Sequence, residues 1–349
     1  MNTPAPSHPT TSTPIALTMG EPAGIGGEIS LLAWLNRDSS TPCYFVIDDP
    51  DRLSALARSL DLDVPVKTIN QPADAAGVFP TALPVLAESI EVSVQPGQPN
   101  KKAAPAILRS IDRAVELVER GEAAAMVTNP IHKATLMAAG FDHPGHTEYL
   151  AERTGAVTPP VMMLSCSQLR VVLSSIHLPL KDALAQLTTA AIIHCGRITA
   201  AALARDFGAP SPRLAVAGLN PHAGEQGYLG REEIDIIIPA IEQLQSDGLT
   251  VTGPFPADTM FHEAARQQYD AAICLYHDQA LIPIKTIDFD GGVNISLGIP
   301  IVRTSPDHGT AFDIAGTGRA SPRSLLAALT QARIMADHRT RFDAEHDSA

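Results

Sequence analysis

The feature that most constrains the fold of this chain is the regular alternation of short apolar runs with segments of helical periodicity. The runs at 44–47, 169–173 and 213–217 have the length and composition of buried strands, whereas residues 103–120 place apolar side chains at helical spacing. Strands that alternate with helices favour an α/β architecture. The sequence therefore predicts an α/β fold.

The length of the chain indicates more than one packed unit. Its 349 residues exceed what one small core requires and suit two lobes. We expect residues 15–129 and 304–337 to form a discontinuous first lobe and residues 130–303 to form a second lobe with the candidate site. The first 14 residues, rich in Pro, Thr and Ser, are predicted to be disordered, and 338–349 are predicted to be a polar tail.

The composition limits the possible partners. A net charge of −13 and an aromatic content of 4% argue against a nucleic acid or an anionic membrane as partner. A small anion remains compatible, because a few local cations can outweigh a distant net charge. The four cysteines form no CxxC pair, and no apolar run reaches the roughly 18 residues of a membrane span. These observations predict a soluble, cytoplasmic protein with reduced thiols.

A glycine-rich loop follows the first apolar run. Residues 20–27 read GEPAGIGG and lead into a helical segment, so that a strand, a loop and a helix follow one another. Such a loop could hold a phosphate against the helix N-terminus. The dinucleotide pattern GxGxxG fails, however, because Ile29 occupies the third glycine position counted from Gly24. A phosphate cradle and a tight structural turn therefore both remain open.

The stretch at 275–303 carries polar side chains of unusually varied chemistry. It contains an imidazole, carboxylate, lysine, amide and arginine, at His277, Asp278, Lys285, Asn294 and Arg303. Apolar runs at 282–284 and 299–302 separate these residues, and we interpret the runs as buried strands or strand ends. Side chains at the rim of a sheet, forming a site for a metal and an anionic substrate, fit this pattern.

Three histidines share one placement, directly after a strand-like run: His177, His222 and His277. Their spacing matches no compact zinc motif, and any one of them alone is more easily explained as a hydrogen-bonded structural residue. Parallel strands end at one edge of a sheet, however, so the three could converge there. Imidazoles suit Zn²⁺, Co²⁺ or Ni²⁺, and three ligands leave a position for substrate. Asp258 and Asp278 are candidates to orient these ligands.

The remaining candidates are predicted to bind substrate. Lys285, Asn294 and Arg303 would grip a carboxylate or phosphate, and arginine suits bidentate contact. His146 and Thr147, in the sequence GHTE at 145–148, place two donors at a predicted helix start, which suits an anion. The alternative is that Thr147 only caps the helix.

Eight motifs together resemble one family closely, the 4-hydroxythreonine-4-phosphate dehydrogenases, or PdxA family. They are MGEPAGIGGE at 19–28, TNPIHK at 128–133, GHTE at 145–148, IHLPL at 176–180, GLNPHAGE at 218–225, GPFPADTMF at 253–261, YHDQALIPIK at 276–285, and VNISLGIPIVRTSPDHGTAFDIAGTG at 293–318. They occur in the order of the family and cover the chain from about residue 15 to 336.

The resemblance implies an activity and a fold. The expected reaction is the NAD-dependent oxidation of 4-phosphohydroxy-L-threonine at C3, followed by decarboxylation to 3-amino-2-oxopropyl phosphate, in pyridoxine and pyridoxal 5'-phosphate biosynthesis. The expected fold is similar to that of isocitrate and isopropylmalate dehydrogenases, two-lobed with mixed sheets flanked by helices and without a GxGxxG loop. The family is a homodimer whose active site lies at the subunit interface, with metal ligands from both chains.

The resemblance also implies roles for single residues. The metal ligands are His177, His222 and His277, and the substrate contacts are His146, Thr147, Lys285, Asn294 and Arg303. From the chemistry of the residues we further expect Lys285 and Asp258 to be catalytic, Lys285 either for proton transfer or for phosphate binding. A loop similar to HG-x-A-x-DIAG implies that His308, Gly309, Thr310 and Asp313 surround the adenosine half of NAD or NADP. The metal would be Zn²⁺, with Co²⁺ or Mg²⁺ as alternatives.

Two rival functions keep the same residues. A paralogous dehydrogenase of threonate or erythronate 4-phosphate would share the metal, the fold and the phosphate contacts. A metal-dependent lyase or hydrolase would use the three histidines without a nicotinamide. A binding module without turnover is disfavoured, because the polar groups are spread over so many strand ends.

Overall fold

The computed structural model describes residues 13–143, 145–175 and 178–346. The first 12 residues of the predicted N-terminal extension and the predicted metal ligand His177 lie outside these ranges. The strands of the described chain form a 12-stranded sheet. They are β1 (Ile15–Thr18), β2 (Tyr44–Asp48), β3 (Val66–Ile69), β4 (Leu83–Ala87), β5 (Met126–Val127), β6 (Val161–Cys166), β7 (Leu169–Leu173), β8 (Arg213–Ala217), β9 (Thr250–Phe255), β10 (Ala271–Cys274), β11 (Val293–Leu297) and β12 (Arg303–Pro306).

Helices connect most of these strands. They are α1 (Gly26–Leu35), α2 (Pro50–Ser59), α3 (Ala75–Val78), α4 (Ala104–Glu119), α5 (Lys133–Met137), α6 (His146–Arg153), α7 (Leu180–Ala185), α8 (Thr189–Asp206), α9 (Ile238–Ser246), α10 (Glu263–Arg266), α11 (His277–Ile287) and α12 (Arg323–His346). A π-helical turn, Glu233–Ile237, directly precedes α9. None of the helices in the described ranges combines the length and apolar character that a membrane crossing requires.

The sheet is mixed, as the α/β prediction implied. Its order is β3-β4-β2-β1-β5-β12-β11-β6-β7-β10-β8-β9. Strand β11 runs antiparallel to both β12 and β6, and β6 and β7 form an antiparallel hairpin, whereas the other pairs are parallel. One sheet therefore continues through both predicted lobes, and the division into lobes stays a prediction.

Burial explains the apolar character of the strands. All residues of β1, β2, β6 and β10 are buried, as expected of strands that are covered by helices on both faces. Helix α4 turns Ile107, Ile111, Ala114 and Val115 towards the core, which confirms the helical spacing in the sequence. A fully buried Ile or Val contributes roughly 1.5–3 kcal/mol relative to an exposed one.

The apolar run 282–284, which we interpreted as a buried strand or a strand end, is part of α11 instead. Ile282 is 63% exposed, and Pro283 lies inside the helix. Three apolar residues are too few to separate a strand from a helix by periodicity, and that interpretation was wrong. In the run 299–302, Ile299, Ile301 and Val302 are buried as predicted, but Pro300 is exposed, the run bends, and β12 begins only at Arg303.

Residues 338–346, which we predicted to belong to a polar tail, are part of the last helix instead, because α12 continues to His346. Ion pairs stabilise the polar part of this helix. Arg339 Nε lies 2.7 Å from Asp206 Oδ1, and Arg205 Nη2 lies 2.9 Å from Asp343 Oδ2. Both pairs join α12 to α8, so charge pairing rather than apolar burial extends the helix.

Candidate active site

A cavity of about 540 Å³ opens beside the ends of β5 and β12 and the start of β11. Several residues predicted to bind substrate line it, namely His146, Thr147, Asn294 and Arg303. The wall also contains polar residues that the sequence analysis did not single out, among them Thr128, Lys133, Glu148 and Asp307. The fold thus brings together side chains that lie far apart in the sequence.

Arg303 lies at the centre of the polar contacts of this cavity. It is the first residue of β12 and is only 4% exposed. Its Nε and Nη2 donate to Thr128 Oγ1 over 3.1 and 2.7 Å. Its Nη1 donates to Ser296 Oγ over 3.1 Å and to Asn294 Oδ1 over 3.3 Å. The guanidinium is therefore held by neighbouring strands on both sides.

All these partners are neutral. Among the described residues no carboxylate lies within ion-pairing distance of Arg303. Burial lowers the pKa of the guanidinium to about 10, although the negative charge of Glu148 opposes this effect. The side chain remains charged near neutral pH. A buried cation without a counter-ion is costly, so an anion entering the cavity would be bound favourably.

His146 adds a neutral group to the same wall. Burial, with the positive charges of Arg303 and Lys133, lowers the pKa of its imidazole well below the ordinary 6.5. The ring is therefore uncharged near neutral pH. Its Nε2 is shielded from solvent and has no hydrogen-bond partner among the described residues. A buried imidazole nitrogen normally has a partner, and a polar atom of a ligand could provide it.

The interpretation of Thr147 as a helix cap is wrong. Helix α6 begins at His146, and its N-cap is Gly145, which makes no side-chain capping bond. Thr147 instead lines the cavity, and its Oγ1 lies 3.5 Å from Ser296 Oγ. A hydroxyl within the first turn of a helix is placed to donate to an anion at the helix N-terminus.

Lys285 does not line the cavity itself but contacts Asp307, which does. Its Nζ lies 2.6 Å from Asp307 Oδ2 and donates to the Asp307 backbone carbonyl over 3.0 Å. Asp307 lines the cavity, whereas Lys285 does not. The sequence analysis missed Asp307. Its position directly after β12, at the start of the loop that carries His308, was the available signal.

The histidines predicted to bind a metal follow adjacent strands. Strand β10 pairs in parallel with β7 on one side and with β8 on the other. His277 is the first residue of α11 after β10, His222 follows β8, and His177, which follows β7, lies outside the described residues. Gln279 Nε2 donates to the Gly218 carbonyl over 2.7 Å and so joins the loops after β10 and β8.

The chemistry of these residues fits a divalent cation. His277 Nδ1 lies 2.7 Å from Asp278 Oδ1, the arrangement in which a carboxylate orients a metal-binding imidazole through its other nitrogen. Within 13–143, 145–175 and 178–346, no three His, Cys, Asp or Glu side chains cluster as a metal site. Asp258, predicted to orient ligands, is exposed in the turn after β9. A second cavity, of about 460 Å³, lies beside Tyr276, His277 and Asp278.

His222 is carried by a backbone of rare conformation. From His222 to Gln226, five successive residues have positive φ, between 43° and 79°. Only Gly224 among them lacks a Cβ, and for other residues a left-handed helical conformation costs roughly 1–2 kcal/mol each. Such strain is kept where surrounding structure enforces it, commonly at functional sites. We call His222–Gln226 the left-handed turn.

The glycine loop packs against two other segments. A Cβ on Gly20 would come within 2.7 Å of Asn129 Cβ, and the φ of Gly20 is +68°. The Ile25 amide donates to the Thr310 carbonyl over 3.0 Å. Close backbone packing thus accounts for these glycines, which favours the structural turn over the phosphate cradle.

The loop predicted to bind the cofactor contains Thr310, whose carbonyl accepts from the Ile25 amide of the glycine loop. His308 and Gly309 line the 540 Å³ cavity, whereas Asp313 is exposed. Burial lowers the pKa of His308, and its Nε2 is shielded without a partner among the described residues. The loop therefore connects the cavity with the glycine loop through Thr310.

A family model and similar proteins of known name all match this chain to the same family. The family model described as pyridoxal phosphate biosynthetic protein PdxA matches residues 40–332. A protein of Bradyrhizobium diazoefficiens named 4-hydroxythreonine-4-phosphate dehydrogenase is 52% identical over 338 residues, covering 94% of this chain and 98% of its own. One of the same name from Caulobacter vibrioides is 52% identical over 334 residues, covering 94% and 99%.

Solved structures agree. A crystal structure of 4-hydroxythreonine-4-phosphate dehydrogenase from Klebsiella pneumoniae has a TM-score of 0.84 at 38% identity and covers 93% of this chain and 100% of its own. A terephthalate 1,2-cis-dihydrodiol dehydrogenase from Burkholderia xenovorans is more distant, with a TM-score of 0.62 at 28% identity, covering 92% and 98%.

The low pKa of His146 predicts how stability depends on pH. Below about pH 6.5 the unfolded chain binds a proton at this position that the folded chain does not bind, so the free energy of unfolding falls as the pH falls. One such proton changes it by up to about 1.4 kcal/mol per pH unit. We expect His146→Asn to flatten the decline between pH 7 and pH 5, measured by urea unfolding.

His262→Asn removes an exposed imidazole and serves as the matched control. An equally steep decline in His146→Asn and in the unsubstituted protein would contradict the neutral state of His146.

Proposed function

The chain belongs to the PdxA family of pyridoxal phosphate biosynthetic proteins, and from this membership we propose that it is a 4-hydroxythreonine-4-phosphate dehydrogenase. The proposed reaction oxidises 4-phosphohydroxy-L-threonine at C3 with NAD and then releases CO₂, giving 3-amino-2-oxopropyl phosphate. The observation that supports this most directly is the buried guanidinium of Arg303, which has no counter-ion within the described part of the chain, beside the neutral imidazole of His146. The pair suits a phosphorylated substrate with further polar groups.

In this proposal Arg303 binds an anionic oxygen of the substrate. Thr128 accepts from both Nε and Nη2, which fixes the plane of the guanidinium. His146 Nε2 gains the hydrogen-bond partner that it lacks, and Thr147 Oγ1 donates from the first turn of α6. Asn294 contributes its amide from β11. These groups select a substrate by charge and hydrogen bonding rather than by apolar contact.

The proposed metal ligands are His222 and His277, with His177 as the third. Asp278 holds the ring of His277, and Asp258 is the proposed second orienting carboxylate. A divalent cation, Zn²⁺ or alternatively Co²⁺ or Mg²⁺, would supply Lewis-acid chemistry that eases loss of the hydroxyl proton. A bound nicotinamide, of NAD or alternatively of NADP, would supply the hydride acceptor for the oxidation at C3. His308, Gly309, Thr310 and Asp313 are the proposed contacts of its adenosine half.

Lys285 is better suited to move a proton than to grip the phosphate. Its ammonium is already paired with the Asp307 carboxylate over 2.6 Å, and a paired cation attracts a second anion weakly. The reaction needs a group that accepts the C3 hydroxyl proton and one that supplies a proton at C2 after the C1–C2 bond breaks. Lys285 and Asp307 together can exchange a proton at the cavity wall.

The active form in this proposal is a cytoplasmic homodimer. We call the edge of the sheet where β7, β8 and β10 end the histidine edge. Large apolar side chains are exposed on the helices that follow β7 and β10, namely Leu180 at 56% and Ile282 at 63%, and Leu180 lines the cavity beside His277. Exposed apolar groups concentrated in one region commonly mark an interface. A second copy would cover them and exclude water from the histidines.

The proposed function is tested by NAD reduction at 340 nm with 4-phosphohydroxy-L-threonine, with and without removal of bound metal. We expect activity that disappears with the metal and returns with Zn²⁺, Co²⁺ or Mg²⁺. Full activity after rigorous metal removal would exclude the three-histidine site. Preference for 4-phosphothreonate would identify a paralogous dehydrogenase, and turnover without NAD reduction would identify a lyase or hydrolase.

Substitution of Arg303 tests the anion site. Arg303→Lys keeps the charge but cannot donate to Thr128 and to the substrate at the same time. A hydrogen bond to a charged group contributes about 1.5–3 kcal/mol, so we expect substrate affinity to fall about 10- to 100-fold. Titration calorimetry measures the change. Arg113→Lys, on the exposed side of α4, is the control, and unaltered affinity in Arg303→Lys would contradict the proposed contact.

Substitution of Lys285 separates its two possible roles. Proton transfer by a positioned side chain contributes about 10²- to 10⁴-fold to the rate. We therefore expect Lys285→Met to lower kcat by at least 100-fold and to change KM much less, as measured by steady-state kinetics. Lys181→Met, at an exposed position, is the control. Near-normal kcat with a raised KM would assign Lys285 to substrate binding instead.

A further inference from the structure

We infer that Glu233 is a positioning residue that holds the left-handed turn and thereby fixes the direction of His222. The inference rests on the proposed function, in which His222 binds the metal. Glu233 does not line the 540 Å³ cavity. It acts through the loop between β8 and the turn.

The carboxylate of Glu233 binds the two residues that follow the start of this loop. Its Oε1 accepts from the backbone amides of Leu219 and Asn220 over 2.8 and 2.7 Å. Its Oε2 accepts from the side-chain amide of Asn220 over 2.9 Å. Both oxygens are thus used by residues that immediately precede the turn, and the Asn220 carbonyl in turn accepts from Ala223 over 3.0 Å.

Gly224 brings the turn itself against the same carboxylate. A Cβ on Gly224 would lie 2.6 Å from Glu233 Oε2, so only glycine allows this approach. The chain therefore wraps around the carboxylate, with backbone donors before the turn and the middle of the turn in contact with it. Five residues in an unfavourable conformation need such an external anchor.

Burying the carboxylate of Glu233 costs free energy. Glu233 is 2% exposed, and among the described residues no cation pairs with it. A buried carboxylate without a cation is retained only if its hydrogen bonds compensate. Glu233 also opens the π-helical turn, a distortion that occurs frequently at functional sites. Two unfavourable features thus meet at the segment that carries His222.

A further contact connects this segment with the next histidine. Gln279 accepts from the Leu275 amide over 2.7 Å and donates to the Gly218 carbonyl over 2.7 Å. The start of the His222 loop is therefore fixed to the start of α11, where His277 lies. With one end of the loop held by Gln279 and the next residues held by Glu233, the loop that leads to His222 is fixed to the start of α11.

The test measures Co²⁺ binding to the metal-free full chain by titration calorimetry, together with the visible absorption of the bound Co²⁺. Outer partners of metal ligands typically contribute 10- to 100-fold to affinity. We expect Glu233→Gln to weaken Co²⁺ binding by about that factor and to alter the absorption spectrum. Glu232→Gln is the matched control, since Glu232 contacts only the Asn220 side chain in this loop and is less buried than Glu233.

A second variant keeps the inference testable if Glu233→Gln folds poorly. Gly224→Ala leaves Glu233 in place but puts a Cβ 2.6 Å from its Oε2, so the turn must move away from the carboxylate. We expect weaker Co²⁺ binding and an altered absorption spectrum, because the turn that carries His222 is displaced from its anchor. Co²⁺ affinity and absorption identical to those of the unsubstituted chain would overturn the inference.

His222→Ala distinguishes the inference from the proposed function. If His222→Ala loses Co²⁺ affinity while Glu233→Gln loses only thermal stability, the positioning role is wrong and the metal site stands. If His222→Ala leaves the affinity unchanged, or if the unsubstituted chain binds no Co²⁺, the metal site fails and the inference fails with it.

Discussion

The guanidinium of Arg303 is the interaction on which the proposed active site depends. It lies between Thr128 after β5 and Asn294 and Ser296 in β11, and so bridges strands from distant parts of the chain. All three partners are neutral acceptors, which orient the charge without cancelling it. Burial, together with the field of this cation, also lowers the pKa of His146. The buried charge, which has no counter-ion among the described residues, thus forms an anion site and helps to keep the neighbouring imidazole neutral.

The strand directions place the remaining residues at two opposite edges of the sheet. Strands β7, β10 and β8 are neighbours and run in parallel, so the loops after them, which carry the histidines, emerge side by side. Strand β11 begins at the other edge, where its antiparallel neighbours β12 and β6 end, and Asn294 pairs there with Ser305 of β12. Topology therefore sets the positions of both groups, and local hydrogen bonds such as that of Gln279 to Gly218 fix the histidine loops.

Much of this arrangement was predictable from the sequence, and the failures have physical causes. Strands such as Arg213–Ala217 were predicted to the residue, because apolar runs of four to six residues between turn signals are typical of buried strands. The run around Ile282 was misjudged, because three apolar residues carry no periodicity, and its exposure depends on how α11 packs. The polar end of α12 depends on ion pairs with α8, which apolar spacing cannot reveal.

Some of the site residues could likewise be predicted from the sequence, and others could not. Arg303 and His146 could be selected because their chemistry is distinctive and because family motifs contain them. Asp307 and Glu233 were missed, since a carboxylate in a polar stretch resembles a solvated surface group until its partner is known. Their roles depend on Lys285 and on the amides of Leu219 and Asn220. The left-handed turn was also beyond prediction, because intrinsic preferences of His, Ala, Glu and Gln oppose it.

The two halves of the proposed site differ in how complete they are. Arg303 is enclosed by its own strands, whereas His222 is exposed and the side chain of His277 is 38% exposed. Electrostatic stabilisation of a reacting alcohol is strongest where water is excluded. Anion binding can therefore be performed by one chain, but the chemistry at the histidine edge needs a cover. Exposed Leu180 and Ile282 next to that edge are suited to receive one, which connects the proposed homodimer directly to catalysis.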